Sequence, residues 1–229
     1  MKTAVLFAAA GTALAASAVS AAPVYVNFAA TDTTNTPANF NLASIGGTYE
    51  NLTDLDGNAT AIDLALSAEP NSYTTGGPGA GALSGDLAAF GAAASTAIYG
   101  DDAAGRGTLT ITFSDLDPSA TYNFDLASAR NNVTGVRTAL FTFAGSNSGT
   151  AVVNATNNTS TIGEVNGISP TAGGDIVLTV VKDTTNDNGS GFFYVNGLSI
   201  DAVGATVPEP TMAGLAAVGG LTLLRRRRA

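Results

Sequence analysis

Apolar and polar residues alternate in short segments through the middle of the chain, residues 22–204. Leu109, Ile111 and Phe113 share one phase with threonines between them, and similar patterns recur further along. Period-two alternation with turn residues between the segments predicts antiparallel strands. The predicted strands are Val24–Phe28, Ala61–Leu66, Leu109–Phe113, Tyr122–Leu126, Ala139–Phe143, Ala151–Asn154, Ile176–Val181 and Phe192–Ile200. Seven or eight strands at this spacing predict an all-β fold, a single antiparallel β-sandwich or jelly roll.

Two segments of the middle region have a different pattern. Only Asp86–Ala94 has helical character, and Gly91 interrupts it. The glycine-rich stretch Thr74–Gly85 predicts a loop. Since no internal repeat or second domain is visible, we expect residues 22–204 to form one β-sandwich domain.

The first 21 residues are a predicted signal peptide. Met1-Lys2 is a short basic start, Thr3–Ala18 is apolar, and Val19-Ser20-Ala21 offers small residues to signal peptidase. This order is typical of a secretory signal cut after Ala21. The chain is therefore expected to be exported through the inner membrane.

Residues 205–229 have a tripartite pattern. A helix cannot continue through Pro208-Glu209-Pro210, because each proline fixes its own φ and favours extended geometry in the residue before it. The apolar run Thr211–Leu224 follows. That run has 14 residues, fewer than the about 20 that span a bilayer comfortably, so it predicts a short apolar helix and transient membrane anchoring. The closing arginines place the C-terminus in the cytoplasm by the positive-inside rule. They are Arg225, Arg226, Arg227 and Arg228.

The motif Val207-Pro208-Glu209-Pro210, with the apolar run and the arginine cluster after it, resembles the PEP-CTERM sorting signal of Gram-negative bacteria. The resemblance implies recognition by exosortase, a membrane-embedded cysteine transpeptidase-like enzyme. It also implies cleavage near the Pro-Glu-Pro motif, with release or transfer to the cell surface, outer envelope or extracellular matrix.

Charge and composition exclude several classes of function. Without both terminal signals the chain keeps 4 basic and 17 acidic residues, a net charge of −13, which argues against nucleic acid as a partner. The sequence has no Cys and no His. Zinc, haem and iron–sulfur sites therefore lose their usual ligands, and Ser-His-Asp and Cys-His nucleophile systems are excluded.

Acidic clusters suggest calcium as the one cofactor to consider. Asp54, Asp56 and Asn58 alternate around Gly57, as oxygen ligands do in part of a calcium loop. Asp183 and Asp187 form a second candidate. The alternative for both is a solvated turn in which the side chains cap the backbone.

Sugar-binding sites combine an aromatic platform with polar donors and acceptors. The sequence has no Trp, and the preferred platforms are Tyr73 and Tyr99, predicted in or beside loops. Arg130 and Arg137 are candidates for bidentate contacts to an acidic sugar, and pairing with neighbouring aspartates is the alternative. Tyr122 and Tyr194 are expected in the core.

Four segments resemble small exported β-sandwich proteins that carry this sorting tail, which are similar to carbohydrate-binding jelly rolls. The segments are Val24–Phe28, Asn51–Gly57, Leu116–Arg130 and Tyr194–Ile200. The first hypothesis is a non-catalytic surface or matrix protein that contacts polysaccharide. The second is a structural coat protein without a ligand. The third is a glycoside hydrolase using two carboxylates, which needs two acids in one cleft.

Overall fold

The alternating segments form strands that stack in layers. The computed structural model describes residues 22–30, 35–67 and 72–204. Within these ranges the strands are β1 (Val24–Phe28), β2 (Asn41–Ala43), β3 (Thr48–Tyr49), β4 (Asp63–Leu66), β5 (Ser72–Thr74), β6 (Ala97–Gly100), β7 (Thr108–Ser114), β8 (Thr121–Ala127), β9 (Thr138–Ala144), β10 (Ser148–Asn154), β11 (Gly163–Ile168), β12 (Ile176–Lys182), β13 (Phe193–Val195) and β14 (Gly197–Val203).

Both predicted processing signals lie outside the described residues. These are the signal peptide, residues 1–21, and the sorting signal, residues 205–229, with Pro208, Glu209, Pro210 and the four arginines Arg225–Arg228. In the part of the chain that is described, no helix has the length and apolar character required to cross a bilayer.

Two sheets pack face to face around the main core. The five-stranded sheet has the order β11-β8-β14-β1-β2, and the six-stranded sheet has the order β10-β9-β12-β7-β4-β3. Phe124 of the first sheet stacks on Phe143 of the second, with ring centroids 4.2 Å apart. Phe113 tilts against Phe124 at 5.5 Å. All three rings have no exposed surface, so the apolar phase predicted from the sequence is the one buried between the sheets.

The predicted β-sandwich is confirmed, with three corrections. The last predicted strand is two strands, β13 and β14, separated at Asn196. Strands β2, β3, β5, β6 and β11 were not predicted. The pairing of the strands is antiparallel except between β1 and β2. β1 ends at Phe28 and β2 begins at Asn41, a separation that suits parallel neighbours, which need a connection of about a dozen residues.

The predicted helical segment is a 3₁₀ helix, Gly85–Ser95, broken at Gly91 with φ 50° and ψ −132°. Leu87 and Phe90 are buried against Ala127 and Ala129 beside the five-stranded sheet. The preceding glycine-rich stretch holds the end of β5 and a short 3₁₀ turn, Ala80–Ala82.

Candidate functional site

A small third sheet carries the candidate platforms. Its order is β13-β6-β5. Tyr73 lies in β5 and Tyr99 in β6, each one residue before the end of its strand and therefore beside a loop, as predicted. Tyr99 pairs with Tyr194, whereas Tyr73 pairs with Ile98. Since successive residues of a strand face opposite sides of a sheet, Tyr73 and Tyr99 lie on opposite faces.

Tyr73 faces the main core. Its ring packs against the buried residues between the two large sheets. Its hydroxyl accepts a hydrogen bond from the backbone N–H of Ile45 at 2.5 Å. The structure does not bring Tyr73 together with the other predicted site residues.

Three aromatic rings gather on the other face of the small sheet. Tyr99 lies edge-on to Phe192 at 5.8 Å between ring centroids, and it lies 6.1 Å from Tyr194. Tyr99 and Phe192 are half-buried, whereas Tyr194 is 4% exposed. Tyr194 is buried, as expected, but it packs here and outside the main core. Tyr122 does lie in the main core.

Three arginines surround these rings. The guanidinium carbon of Arg106 is 5.7 Å from the Tyr99 centroid, and that of Arg130 is 5.8 Å from the Tyr194 centroid. Arg137 lies 5.3 Å from Phe192 and donates an Nη1 hydrogen bond to the Tyr194 hydroxyl. All these distances are within the about 6 Å at which cations are attracted to ring faces. We call Tyr99, Phe192, Tyr194, Arg106, Arg130 and Arg137 the arginine–aromatic cluster.

One short segment fixes the backbone at both Arg130 and Arg137. The carbonyl of Ala155 accepts from the Arg130 N–H at 2.7 Å, and the Ala155 N–H donates to the Arg137 carbonyl at 3.1 Å. The Thr156 hydroxyl accepts from the Arg137 N–H at 3.0 Å. Two loop arginines are therefore held at fixed positions, although neither lies in a strand.

A buried amide joins the small sheet to the loop that leads to Arg130. Asn196 donates to the carbonyls of Ala94 and Thr96 at 2.7 and 2.8 Å. Its Oδ1 accepts from the Ala129 N–H at 2.7 Å. These bonds hold Ala129, the residue before Arg130, next to the segment that leads into β6.

All four basic residues of the described ranges lie in this region, and only two are ion-paired. Arg106 pairs with Asp101 at 3.0 Å and Lys182 with Asp102 at 2.5 Å. Lys182 also lies near Phe192. The Cδ of Lys182 is 2.9 Å from the position that a Cβ would take on Gly191, the residue before Phe192. Within the described part of the chain, Arg130 and Arg137 form no ion pair, so the structure does not show their expected pairing with aspartates.

The buried part of each free guanidinium also lacks a partner. The Nε atoms of Arg130 and Arg137 are the buried side-chain atoms without a hydrogen bond in the described ranges. Buried polar groups are almost always hydrogen-bonded. Among the described residues, the cluster therefore holds two cations without a carboxylate partner in an acidic protein.

The predicted calcium ligands cap turns. Asp54 is 5% exposed, and its Oδ1 accepts from the Asn58 N–H at 2.8 Å, while Asp56 is exposed. Asp187 accepts from the Val136 N–H at 2.5 Å. Hydrogen bonds from the Thr185 side chain and backbone hold the pKa of Asp183 below its usual value. Among described residues no group of three or more acids gathers as a metal site, and calcium stays a prediction.

Carboxylates meet on the outer face of the five-stranded sheet. Asp125 pairs in register with Ser199 and with Glu164, and the Ser199 hydroxyl donates to its carboxylate at 2.9 Å. Burial and, secondly, the charge of Asp125 raise the pKa of Asp201. An open groove of about 450 Å³ lies beside this face and is lined by Asp86 and Glu164 but not by Asp201. The acid with the raised pKa and the groove do not coincide.

Sequence reasoning missed Arg106, Phe192 and Tyr194 as members of the cluster. Phe192-Phe193-Tyr194 had the pattern of core residues, and only the register of β6 with β13 shows that Tyr194 turns towards Tyr99. The sequence signal that could have pointed to them is the scarcity of basic residues between the two terminal signals, since the four basic residues of the described ranges all lie near these rings.

No known protein-family profile matches this chain, and no curated protein matches its sequence. Solved structures with a similar backbone include the CBM22-1–GH10 modules of endo-1,4-β-D-xylanase 10B from Clostridium thermocellum complexed with xylohexaose. The identity is 14% over 65% of this chain and 27% of that chain, with a TM-score of 0.36. The module TmCBM61 in complex with β-1,4-galactotriose is similar at 14% identity over 62% of this chain and 83% of that chain, with a TM-score of 0.29.

The ANXUR1 extracellular domain from Arabidopsis thaliana is similar at 15% identity over 80% of this chain and 48% of that chain, with a TM-score of 0.40. The chain thus spans about a quarter of the xylanase chain and about half of the ANXUR1 chain. At these identities and TM-scores the likeness is one of backbone fold and carries no conclusion about function.

Proposed function

We propose that the chain is an exported, exosortase-sorted protein of the cell surface or matrix, and that its β-sandwich is a non-catalytic polysaccharide-binding module. The observation that carries the binding role is the arginine–aromatic cluster. It combines two half-buried rings, Tyr99 and Phe192, with arginine donors at one place on the molecule. Sugar rings stack their C–H faces on aromatic rings while their hydroxyls need donors and acceptors.

The arrangement of acids supports a non-catalytic role. Glycoside hydrolysis needs two carboxyl groups that face each other across the scissile bond, one with a raised pKa. Asp201 has the raised pKa, but it does not line the groove that contains Asp86 and Glu164. Asp101, the carboxylate beside Arg106 of the arginine–aromatic cluster, is held in an ion pair with it.

The proposal is tested by retention of the chain of residues 1–229 on a panel of immobilised polysaccharides. We expect retention on at least one polymer and a dissociation constant about thirtyfold higher for Tyr99→Ala, since truncating an aromatic anchor costs about 2 kcal/mol or more. Phe192→Ala should weaken binding in the same direction. Circular dichroism and the melting temperature of each variant separate lost binding from lost folding.

Tyr73→Phe is the matched control. It keeps the ring in the core and removes only the hydroxyl contact to Ile45, so binding should be unchanged. Retention of Tyr99→Ala equal to that of the parent chain would move the site away from the cluster. No retention on any polymer would favour a structural coat protein. The melting temperature is also measured with calcium and with chelator. An ion bound at the Asp54 or Asp183 turn would raise it.

A further inference from the structure

We propose that the cluster selects polysaccharides that carry carboxylates, such as uronate chains, and that Arg130 is the residue that distinguishes a carboxylate from a neutral group. This inference rests on the proposed binding function and names its ligand class. It comes from the two arginines that remain unpaired in a protein of strongly negative charge.

The first step is the distribution of charge. The described ranges contain four basic residues, and folding brings all four to one region from positions 106, 130, 137 and 182. Arg106 and Lys182 are neutralised by Asp101 and Asp102. Arg130 and Arg137 keep their charge, and both lie 5.8 Å from the Tyr194 ring centroid. Because both guanidinium carbons lie 5.8 Å from the same ring centroid, the distance between them is at most twice 5.8 Å.

The second step is the state of the nitrogens. Arg137 uses Nη1 on the Tyr194 hydroxyl, which fixes the plane of its guanidinium. In the described ranges the terminal nitrogens of Arg130 make no hydrogen bond, and they are not among the buried unpartnered atoms. A ligand would therefore displace no existing hydrogen bond from them. A guanidinium fork takes a carboxylate through two parallel hydrogen bonds, which are stronger than bonds to neutral oxygens.

The third step is the position of Arg130. Its side chain lies directly against the backbone of Gly76, since a Cβ on Gly76 would overlap Nη1 of Arg130. The Gly76 carbonyl accepts from the Asn131 N–H at 2.9 Å, which holds this loop beside the arginine. An alanine at position 76 would require the end of the Arg130 side chain to move. A methyl group at residue 76 would displace the charge without removing it.

The test compares one polymer in two forms. Binding of oligogalacturonate and oligomannuronate to the chain of residues 1–229 is measured by calorimetry against their methyl esters, which keep the sugar ring but lose the charge. We expect at least one acid form to bind about tenfold or more tightly than its ester. Arg130→Gln should bring binding of the acid down to the level of its ester in the same variant, so the charge of the polymer and that of the side chain form a double-mutant cycle.

Two further variants separate charge from position. Gly76→Ala should weaken acid binding severalfold with all charges retained. Lys182→Gln changes the net charge by the same amount as Arg130→Gln, yet it should leave the preference for acid over ester intact, because Asp102 already neutralises Lys182. The melting temperature of each variant confirms that it is folded.

The outcomes distinguish this inference from the proposed function. Equal binding of acid and ester, with loss of both in Tyr99→Ala, would overturn the inference and leave the polysaccharide-binding function standing. Tighter binding of dextran sulfate than of every uronate, with the same dependence on Arg130, would overturn the choice of a carboxylate. No binding of any acid, ester or neutral galactan would overturn the proposed function itself.

Discussion

Asn196 shows how one residue can hold the candidate site together. It has no exposed surface, and its amide makes three hydrogen bonds to backbone groups of Ala94, Thr96 and Ala129. It also marks the end of β13 and the start of β14. The side chain therefore takes the place of strand hydrogen bonds at the point where the chain passes from the small sheet to the five-stranded sheet.

Asn196→Ala should lower the free energy of unfolding by about 3 kcal/mol or more, because it leaves buried backbone groups unpaired at about 1–3 kcal/mol each. For a domain of this size, that corresponds to a fall in melting temperature of roughly 6–12 °C. The measurement is thermal denaturation followed by circular dichroism.

Asn147 provides the control for that prediction. Its side chain also bonds two backbone groups, the Gly167 carbonyl at 2.9 Å and the Ser169 N–H at 2.7 Å, but it is exposed. Water replaces such bonds, so Asn147→Ala should cost less than about 1 kcal/mol. Equal losses in the two variants would contradict the role given to burial at Asn196.

At the scale of elements, the 3₁₀ helix Gly85–Ser95 is shaped by one backbone conformation. Gly91 has φ 50° and ψ −132°, a combination that side chains strongly disfavour. The bend lets Leu87 and Phe90 before it, and Ala93 and Ala94 after it, all be buried. The segment thus covers part of the five-stranded sheet, and the Asn196 amide binds the carbonyl of Ala94 near its end.

Gly91→Ala should destabilise the fold by about 1–3 kcal/mol through backbone strain alone. Its closest neighbour, the Pro37 ring, would stand 3.8 Å from the new Cβ, so no clash contributes. Gly79→Ala is the comparison, since a Cβ there meets nothing within 4 Å, and we expect a change within about 0.5 kcal/mol. Urea denaturation of both variants would measure the difference, and a neutral Gly91→Ala would show that the bend is dispensable.

The long strands could be predicted from the sequence because each places one apolar phase in the main core, as Leu109, Ile111 and Phe113 do in β7. The short strands could not. β6 is only Ala97–Gly100, and its register with β13 depends on residues almost a hundred positions away. The same non-local pairing hid the cluster: Arg130 and Arg137 were predicted as ligand residues, but their aromatic partner Tyr194 was not.

At the scale of the whole molecule, two acidic residues, Asp201 and Asp183, make the free energy of unfolding depend on pH in opposite directions. Burial first, and then the charge of Asp125, raise the pKa of Asp201 above its value of 3.8 in an unfolded chain. Its protonated form therefore favours the folded state. That contribution is fully present below pH 3.8 and is lost as the pH rises through the raised pKa.

Asp201→Asn should consequently raise the melting temperature at pH 7, and the gain should disappear near pH 3. Asp183→Asn should behave in the opposite way: the lowered pKa of Asp183 stabilises the fold above pH 3.8, and this stabilisation is lost as the pH falls through the lowered pKa. Melting temperatures of the parent chain and both variants between pH 3 and pH 7 measure this. Curves with the same sign for both variants would contradict these assignments.

The first and last strands of the described part of the chain, β1 and β14, are paired. β14 lies between β1 and β8, with Val24 opposite Ile200. A ribosome delivers the N-terminus first, so β1 waits for its antiparallel neighbour until almost the whole domain has been synthesised. Contacts this distant in sequence form slowly. A polypeptide that stops short of residue 197 would leave β1 and β8 as open edges with unpaired backbone groups, the kind of surface that chaperones bind and proteases remove. A chain that lacks β14 therefore cannot close the five-stranded sheet.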